Sequence, residues 1–304
     1  MKIAAIDIGT NTVLMLIGKK EDDGSIAIVA DEHSIARLGE GVDNTRRISE
    51  EAYSRFATIL TRYSTILKEQ QVDRTAAFAT SAMRDAHNRE EIMARVQEQF
   101  GLTIELLSGD DESRLSFRGA LFGRRIAANQ RIATIDIGGG STEVSFGEGI
   151  TYLQGKSIDI GAVRVKERYL LAGKSLDETR AIIASEFEAI PHIESVSIAQ
   201  LIAVAGTPTS LAAIKAGLHT FDPSVVDGTI LTLDEVSAML EEIVIMPAAE
   251  FSKNYPVVPA SRADILPAGT IILEQAMKAL QVKECTVSTR GLRYGVLLRE
   301  FDQV

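Results

Sequence analysis

KIAAIDIGTNTVLMLIG, residues 2–18, is written a second time as RIATIDIGGGSTEVSFG, residues 131–147. With Asp7 placed on Asp136, Ile3, Ala4, Ile6, Ile8, Gly9 and Gly18 meet identical residues. Each copy reads as an apolar strand ending in an acid, a tight turn of small residues, and a second strand. Small residues let backbone N–H groups approach an anion closely, and an acid beside the turn can hold a metal ion or a water. Two such turns facing each other would clamp one phosphate-rich ligand in a cleft.

The chain has 304 residues, 45% of them hydrophobic. At roughly 100–200 residues per domain this predicts two domains, in agreement with the repeat. Cys285 is the one cysteine, so no internal disulfide forms. No apolar run approaches the ~20 residues that cross a bilayer. The first residues read as a strand and lack the basic-then-apolar pattern of a signal peptide. The expectation is a cytoplasmic protein without a membrane partner. A net charge of −10 argues against a nucleic-acid polymer as partner, because such binding draws on many Lys and Arg contacts. An anion held by local arginines is still allowed.

Strands are expected at about 2–9, 12–19 and 25–31, followed by a helix opened by Ser49, with Tyr53, Phe56, Ile59, Leu60, Tyr63 and Leu67 on its apolar face. A strand near 74–80, a helix opened by Asn88 and Glu91, a strand at 102–107 and a helix from about 110 complete the order βββαβαβα. The order restarts after a polar connection near Gly123–Gln130, with strands at about 131–137, 141–147, 150–157, 201–206 and 283–288. Capping boxes are expected at Ser175 with Glu178 and at Thr232 with Glu235. The predicted domains are 1–125 and 126–304.

A duplicated α/β chain with paired DIG turns resembles the superfamily of actin, sugar kinases and heat-shock chaperones. That resemblance implies two ribonuclease-H-like, actin-like ATPase domains with a ligand cleft between them. It fixes no reaction. More specific phrases follow in order: RLGEGV (37–42), ATSAMRDAHN (79–88), LLSGDDESRL (106–115), DIGGGSTE (136–143), AGTPTSLAA (205–213), RADILPAG (262–269) and STRGLRYG (288–295). Together they resemble the exopolyphosphatase and guanosine pentaphosphate phosphohydrolase family over essentially the whole chain, in its short two-domain form. The resemblance implies hydrolysis of terminal phosphate from polyphosphate, or alternatively from guanosine pentaphosphate, with Mg2+ as cofactor, and a homodimer. Readings from other classes are a kinase of the same superfamily and a nucleotide-gated assembly protein.

Phosphoanhydride hydrolysis needs a positioned water, a base for it, and positive charge on the phosphoryl oxygens. The resemblance implies Glu112, in the first turn of a predicted helix, as the base; the alternative is that it merely complements the helix dipole with Asp110 and Asp111. Asp136 and Glu143 flank the second turn and could reach one metal or water from two strands, and the resemblance implies this pair as metal ligands with Asp7 as a third. An exposed strand carboxylate is the alternative for Glu143. Phosphate-cradling groups are expected at Thr10, Asn11 and Thr12, at Gly138, Gly139, Gly140, Ser141 and Thr142, and at Gly206, Thr207 and Thr209. The last set opens a helix, where N–H groups favour an anion, although an ordinary cap would look the same. Arg84 and Arg37 are loop cations suited to phosphate, with a solvated surface role as the alternative. Arg290 and Arg293 flank Gly291, and Arg290 either extends the anion path or has no such role.

Other signals lead nowhere. His33, His87, His192 and His219 have no zinc-ligand spacing, and a single cysteine cannot complete such a site. No G-x-x-x-x-G-K-[ST] loop is present. Tyr53, Phe56 and Tyr63 read as core rather than as a base-stacking platform.

Overall fold

The computed structural model describes residues 1–190 and 197–303. The chain forms two units, Met1–Phe122 joined by the chain from Leu292 onward, and Gly123–Gly291.

In the first unit, strands β1 (Lys2–Ile8), β2 (Thr12–Lys20), β3 (Ile26–Ile35), β4 (Arg74–Ala79) and β5 (Ile104–Leu106) lie in the order β3-β2-β1-β4-β5. The first three run antiparallel, and β4 and β5 continue parallel to β1. Alternation along β1 separates two cores. Ala4, Ile6 and Ile8 pack with helices Glu50–Glu69 and Arg89–Phe100, whereas Ile3 and Ala5 pack on the other face with helix Gly109–Ala120 and helix Leu292–Asp302. Ser49 caps helix Glu50–Glu69 by accepting the Ala52 N–H, as expected. Tyr53, Phe56 and Tyr63 are buried in the core, and the Tyr63 hydroxyl donates to the Val13 carbonyl. Asn88 differs from its expected capping role. Its side-chain amide instead brackets the Ile48 peptide, accepting from its N–H and donating to its C=O, both at 3.0 Å.

The second unit repeats the arrangement. Strands β6 (Arg131–Ile137), β7 (Thr142–Glu148), β8 (Thr151–Ile158), β9 (Gln200–Val204), β10 (Ile230–Thr232) and β11 (Glu284–Ser288) lie in the order β10-β11-β9-β6-β7-β8. The short β10 has no counterpart in the first sheet and was not expected, since three residues carry no readable period. Both expected capping boxes form, opening helices Leu176–Glu188 and Leu233–Ile245. The last identity of the repeat also has a meaning. The β2–β3 register shifts between Ile17 and Gly18, and the β7–β8 register shifts between Phe146 and Gly147.

The expected second domain, 126–304, differs in its last element. Helix Leu292–Asp302 packs in the first unit, because its apolar side chains Leu292, Val296, Leu297 and Phe301 cover Ile3, Ala5, Leu16 and Phe78. An isolated 11-residue helix is marginal in water. Each large apolar side chain contributes roughly 1.5–3 kcal/mol on full burial, which decides where the helix lies. Polar contacts add to this. Arg293 is buried and bidentate to Asp31, at 3.0 and 2.9 Å, and Arg299 is bidentate to Glu105. Arg290 stays in the second unit, where it pairs with Asp227 at 3.8 Å beside Arg124, whose guanidinium reaches Asp227 at 2.8 Å. Among the described residues no helix is long and apolar enough to cross a membrane.

Two consequences are testable. A Cβ on Gly295 would overlap the Leu115 carbonyl, so helices Leu292–Asp302 and Gly109–Ala120 touch backbone to backbone there. Gly295→Ala is expected to destabilise by ~1–3 kcal/mol in thermal or urea unfolding, and an unchanged midpoint would exclude this close contact. Partial burial raises the carboxyl pKa of Asp31, but His33 and the Arg293 guanidinium outweigh it and hold the group well below the usual carboxylate range. This stability is present above the unfolded pKa of roughly 4 and is lost as pH falls below it. Asp31→Asn should therefore flatten the acid limb of a stability-versus-pH curve, and an unaltered limb would remove the pair from the account.

Candidate active site

In the first unit the β1–β2 turn closes through the Gly9 N–H on the Thr12 carbonyl at 3.0 Å. The RLGEGV loop then folds back over it. Ala36 and Arg37 N–H groups donate to the Asn11 carbonyl, and the Gly39 N–H donates to the Thr10 carbonyl at 2.8 Å. A Cβ on Gly39 would overlap the Thr10 side chain, and Arg37 takes a left-handed φ of 50° to make the fold-back. With these carbonyls engaged, the backbone N–H groups of Thr10 and Asn11 donate to no group among the described residues. Arg55 supports the loop, donating to the carbonyls of Ala36 and Arg37; its place on an amphipathic helix gave no signal of this.

Arg84 follows β4 in the short helix Ser81–Asp85, and its Nη1 donates both to the Leu107 carbonyl and to Glu112 Oε2, each at 3.0 Å. Glu112 lies one turn into helix Gly109–Ala120, which Ser108 caps by accepting the Asp111 N–H. The three acids of that first turn differ. Asp110 is exposed and Asp111 half-exposed, whereas Glu112 is 6% exposed and charge-paired. A carboxylate serving only the helix dipole has no need of burial, so the arrangement separates Glu112 from its neighbours. His87 is exposed, and His192 lies outside the described residues.

The second unit builds the same turn. The Gly138 N–H donates to the Ser141 carbonyl at 3.0 Å, and the segment after β8 folds over it: Ala162 donates to the Gly138 carbonyl, and Val163 and Arg164 donate to that of Gly139. A Cβ on Gly161 would sit 2.5 Å from the Gly139–Gly140 peptide, so only glycine allows this approach. The N–H groups of Gly139, Gly140 and Ser141 donate to nothing among the described residues. Thr142 differs from expectation in its side chain, which is fully buried and donates to the Ile160 carbonyl at 2.6 Å. It braces the turn.

Asp136 and Glu143 are direct partners in the β6–β7 register, which places both carboxylates on one face with Cβ atoms roughly 5 Å apart. Glu143 is buried and accepts from the Ser157 hydroxyl at 2.7 Å. In the first unit Asp7 has Leu14 opposite it, so that turn carries a single acid. Among the described residues no three His, Cys, Asp or Glu side chains form a metal-holding group. A carboxylate pair suits Mg2+, which binds through one or two carboxylates and completes its octahedron with water and phosphate oxygens.

The third turn expected to cradle phosphate opens helix Gly206–Lys215. Ala205 has φ 75° and ψ −166°, backbone that only glycine adopts readily, at a cost of order 1–3 kcal/mol. It turns the N–H groups of Gly206 and Thr207 outward at the helix N-terminus. Thr209 differs from expectation, since its hydroxyl donates back to the Ala205 carbonyl at 2.8 Å. Arg262 fills the place beside the turn. A Cβ on Gly206 would lie 3.0 Å from its guanidinium carbon, and no carboxylate among the described residues pairs with it. Burial lowers its pKa below the ordinary arginine value. The quoted RADILPAG phrase contained this residue, but its side-chain role was not legible from the sequence.

The fold and these turns define an α/β protein of the actin-like ATPase type. The Ppx/GppA family member of Aquifex aeolicus superposes with a TM-score of 0.80 at 29% identity, covering 100% of this chain and 98% of that one. An exopolyphosphatase from Cytophaga hutchinsonii gives 0.89 at 27%, covering 100% and 99%. Exopolyphosphatase 2 of Mycobacterium tuberculosis is 30% identical over 314 residues, spanning 98% of both proteins. The sequence profile of the Ppx/GppA phosphatase family matches residues 17–304, and the chain belongs to that family.

A Cβ on Gly269 would overlap the Thr207 hydroxyl and displace it. Gly269→Ala is expected to lower phosphatase kcat/KM by roughly tenfold to a hundredfold with the fold intact by circular dichroism. Unchanged kinetics would remove the Gly206–Thr207 turn from the site.

Proposed function

We propose that this protein is an exopolyphosphatase that releases orthophosphate from the end of inorganic polyphosphate with Mg2+. The observation that carries the reading is the second-unit turn, where unclaimed N–H groups of Gly139, Gly140 and Ser141 stand beside the facing carboxylates Asp136 and Glu143. N–H groups alone would suit any anion. N–H groups next to a carboxylate pair suit an anion that arrives with a divalent cation.

In this mechanism Glu112 takes the proton of the attacking water, whose oxygen bonds to the terminal phosphorus as the bridging P–O bond breaks and the shortened chain leaves. Arg84 holds Glu112 through its 3.0 Å contact and offers its remaining N–H groups to the terminal phosphoryl oxygens. Turn amides at Thr10 and Asn11, at Gly139–Ser141 and at Gly206–Thr207, with Arg262, hold other phosphates of the chain. Asp136 and Glu143 would hold the Mg2+, and Asp7 is the third candidate carboxylate. The ion, when bound, neutralises phosphate and leaving-group oxygens. The cytoplasmic location and the homodimer expected from sequence belong to the same proposal.

The test is orthophosphate release from polyphosphate and from guanosine pentaphosphate, for wild type and Glu112→Gln, with Mg2+ and with excess chelator. Expected are a preference for polyphosphate, a loss of ~10²-fold or more in the variant with folding intact, and collapse of activity in chelator. Preference for guanosine pentaphosphate would rename the substrate. Full activity of Glu112→Gln would remove the base, and full activity in chelator would remove the metal.

A further inference from the structure

Two phosphate-cradling turns of the second unit, Gly139–Ser141 and Gly206–Thr207, lie on different segments, and an ion pair links the pieces that hold them. On one side, Gly161 lies flush on the Gly139–Gly140 peptide, and helix Ala162–Val165 is tied to the carbonyls of Gly138 and Gly139. That helix runs straight into a π-turn, Lys166–Leu170. On the other side, the helical turn Ala260–Ala263 carries Arg262 against Gly206, and Asp264 follows as its C-cap. Lys166 Nζ meets Asp264 Oδ2 at 2.7 Å, with both side chains about two-thirds covered or more.

We propose that Lys166 and Asp264 are positioning residues: their ion pair is a strut that sets Arg262 against the Gly206 turn at a fixed spacing from the Gly139 turn. The reasoning is geometric. Residues two apart in a helical turn point to different sides, so an anchor on Asp264 leaves Arg262 free to reach toward Gly206. The short turn Ala260–Ala263 has no side-chain cap at its N-terminus and too few residues to be stable alone. Arg262 gains no carboxylate partner of its own, so its direction depends on where the turn is held. The strut therefore acts on the binding of the phosphate chain through Arg262 and leaves the chemistry at Glu112 untouched. The inference rests on the reading of Arg262 as a phosphate-holding group.

The experiment measures kcat and KM for polyphosphate in Mg2+, and inhibition by orthophosphate, for Lys166→Met, Lys166→Arg, Asp264→Asn, the double variant Lys166→Met with Asp264→Asn, and Arg262→Gln. Melting temperatures are recorded for all. Lys166→Met and Asp264→Asn are each expected to raise KM by roughly threefold to tenfold, with kcat within about twofold. The double variant should be no worse than either single, and Lys166→Arg should restore KM. Wild-type KM in both single variants, additive effects in the double, or a fall in kcat with KM unchanged would overturn the strut. If Arg262→Gln raises KM while Lys166→Met and Asp264→Asn do not, the strut fails and Arg262 keeps its phosphate role. If Arg262→Gln leaves KM unchanged, the reading on which the strut rests fails instead. Should Lys166→Met unfold, the isosteric Asp264→Asn decides.

Discussion

Everything at the candidate site depends on backbone meeting backbone over the two hairpin turns. In each unit the segment leaving the third strand donates its N–H groups to the carbonyls of the turn, those of Thr10 and Asn11 in one and of Gly138 and Gly139 in the other. Gly39 and Gly161 make the approach feasible, because any Cβ there would occupy space already filled. The brace engages two carbonyls of each turn and leaves N–H groups of the turn unclaimed. A turn with engaged carbonyls and unclaimed N–H groups carries local positive potential, which suits an anion even in a chain of net charge −10.

The two copies of the turn diverged in what surrounds them. The second has Glu143 where the first has Leu14, and so acquires a carboxylate pair; the first unit instead pairs Arg84 with Glu112. Arg262 and the strained Ala205 add to the second unit a cation and outward N–H groups at a helix start. Strain of this kind persists because the surrounding packing, including Gly269 against Thr207, leaves the segment no other path. One supersecondary motif therefore supplies two kinds of chemistry, according to which side chains stand around unchanged backbone.

Within the second unit, charge gathers the two ends of its segment. The chain enters the second unit at Gly123 and leaves it at Gly291, and both connections are tied to Asp227, by Arg124 and by Arg290 with the Thr289 N–H. Beyond Gly291, helix Leu292–Asp302 is bound by apolar burial and by the Arg293–Asp31 and Arg299–Glu105 pairs. The STRGLRYG phrase thus serves anchorage twice: Arg290 secures one unit and Arg293 the other.

Local patterns carried most of the architecture in the sequence. Strand alternation, the Ser49 cap, the two capping boxes and the repeated DIG turns depend on neighbours within a few residues, and so their structural outcome could be read directly. The facing of Asp136 and Glu143 was legible for the same reason, since a tight hairpin fixes its own register. What only the tertiary structure decided involves partners far apart in the chain. The C-terminal helix chose the first unit because its apolar face matches that sheet, and no local pattern says which sheet a helix will cover. Arg84 met Glu112, Arg262 came to rest on Gly206, and the hydroxyls of Thr142 and Thr209 turned inward, all through contacts set by packing. A sequence determines which backbone conformations and side-chain chemistries are available; the packed core determines which of them meet, because only there are the distances fixed.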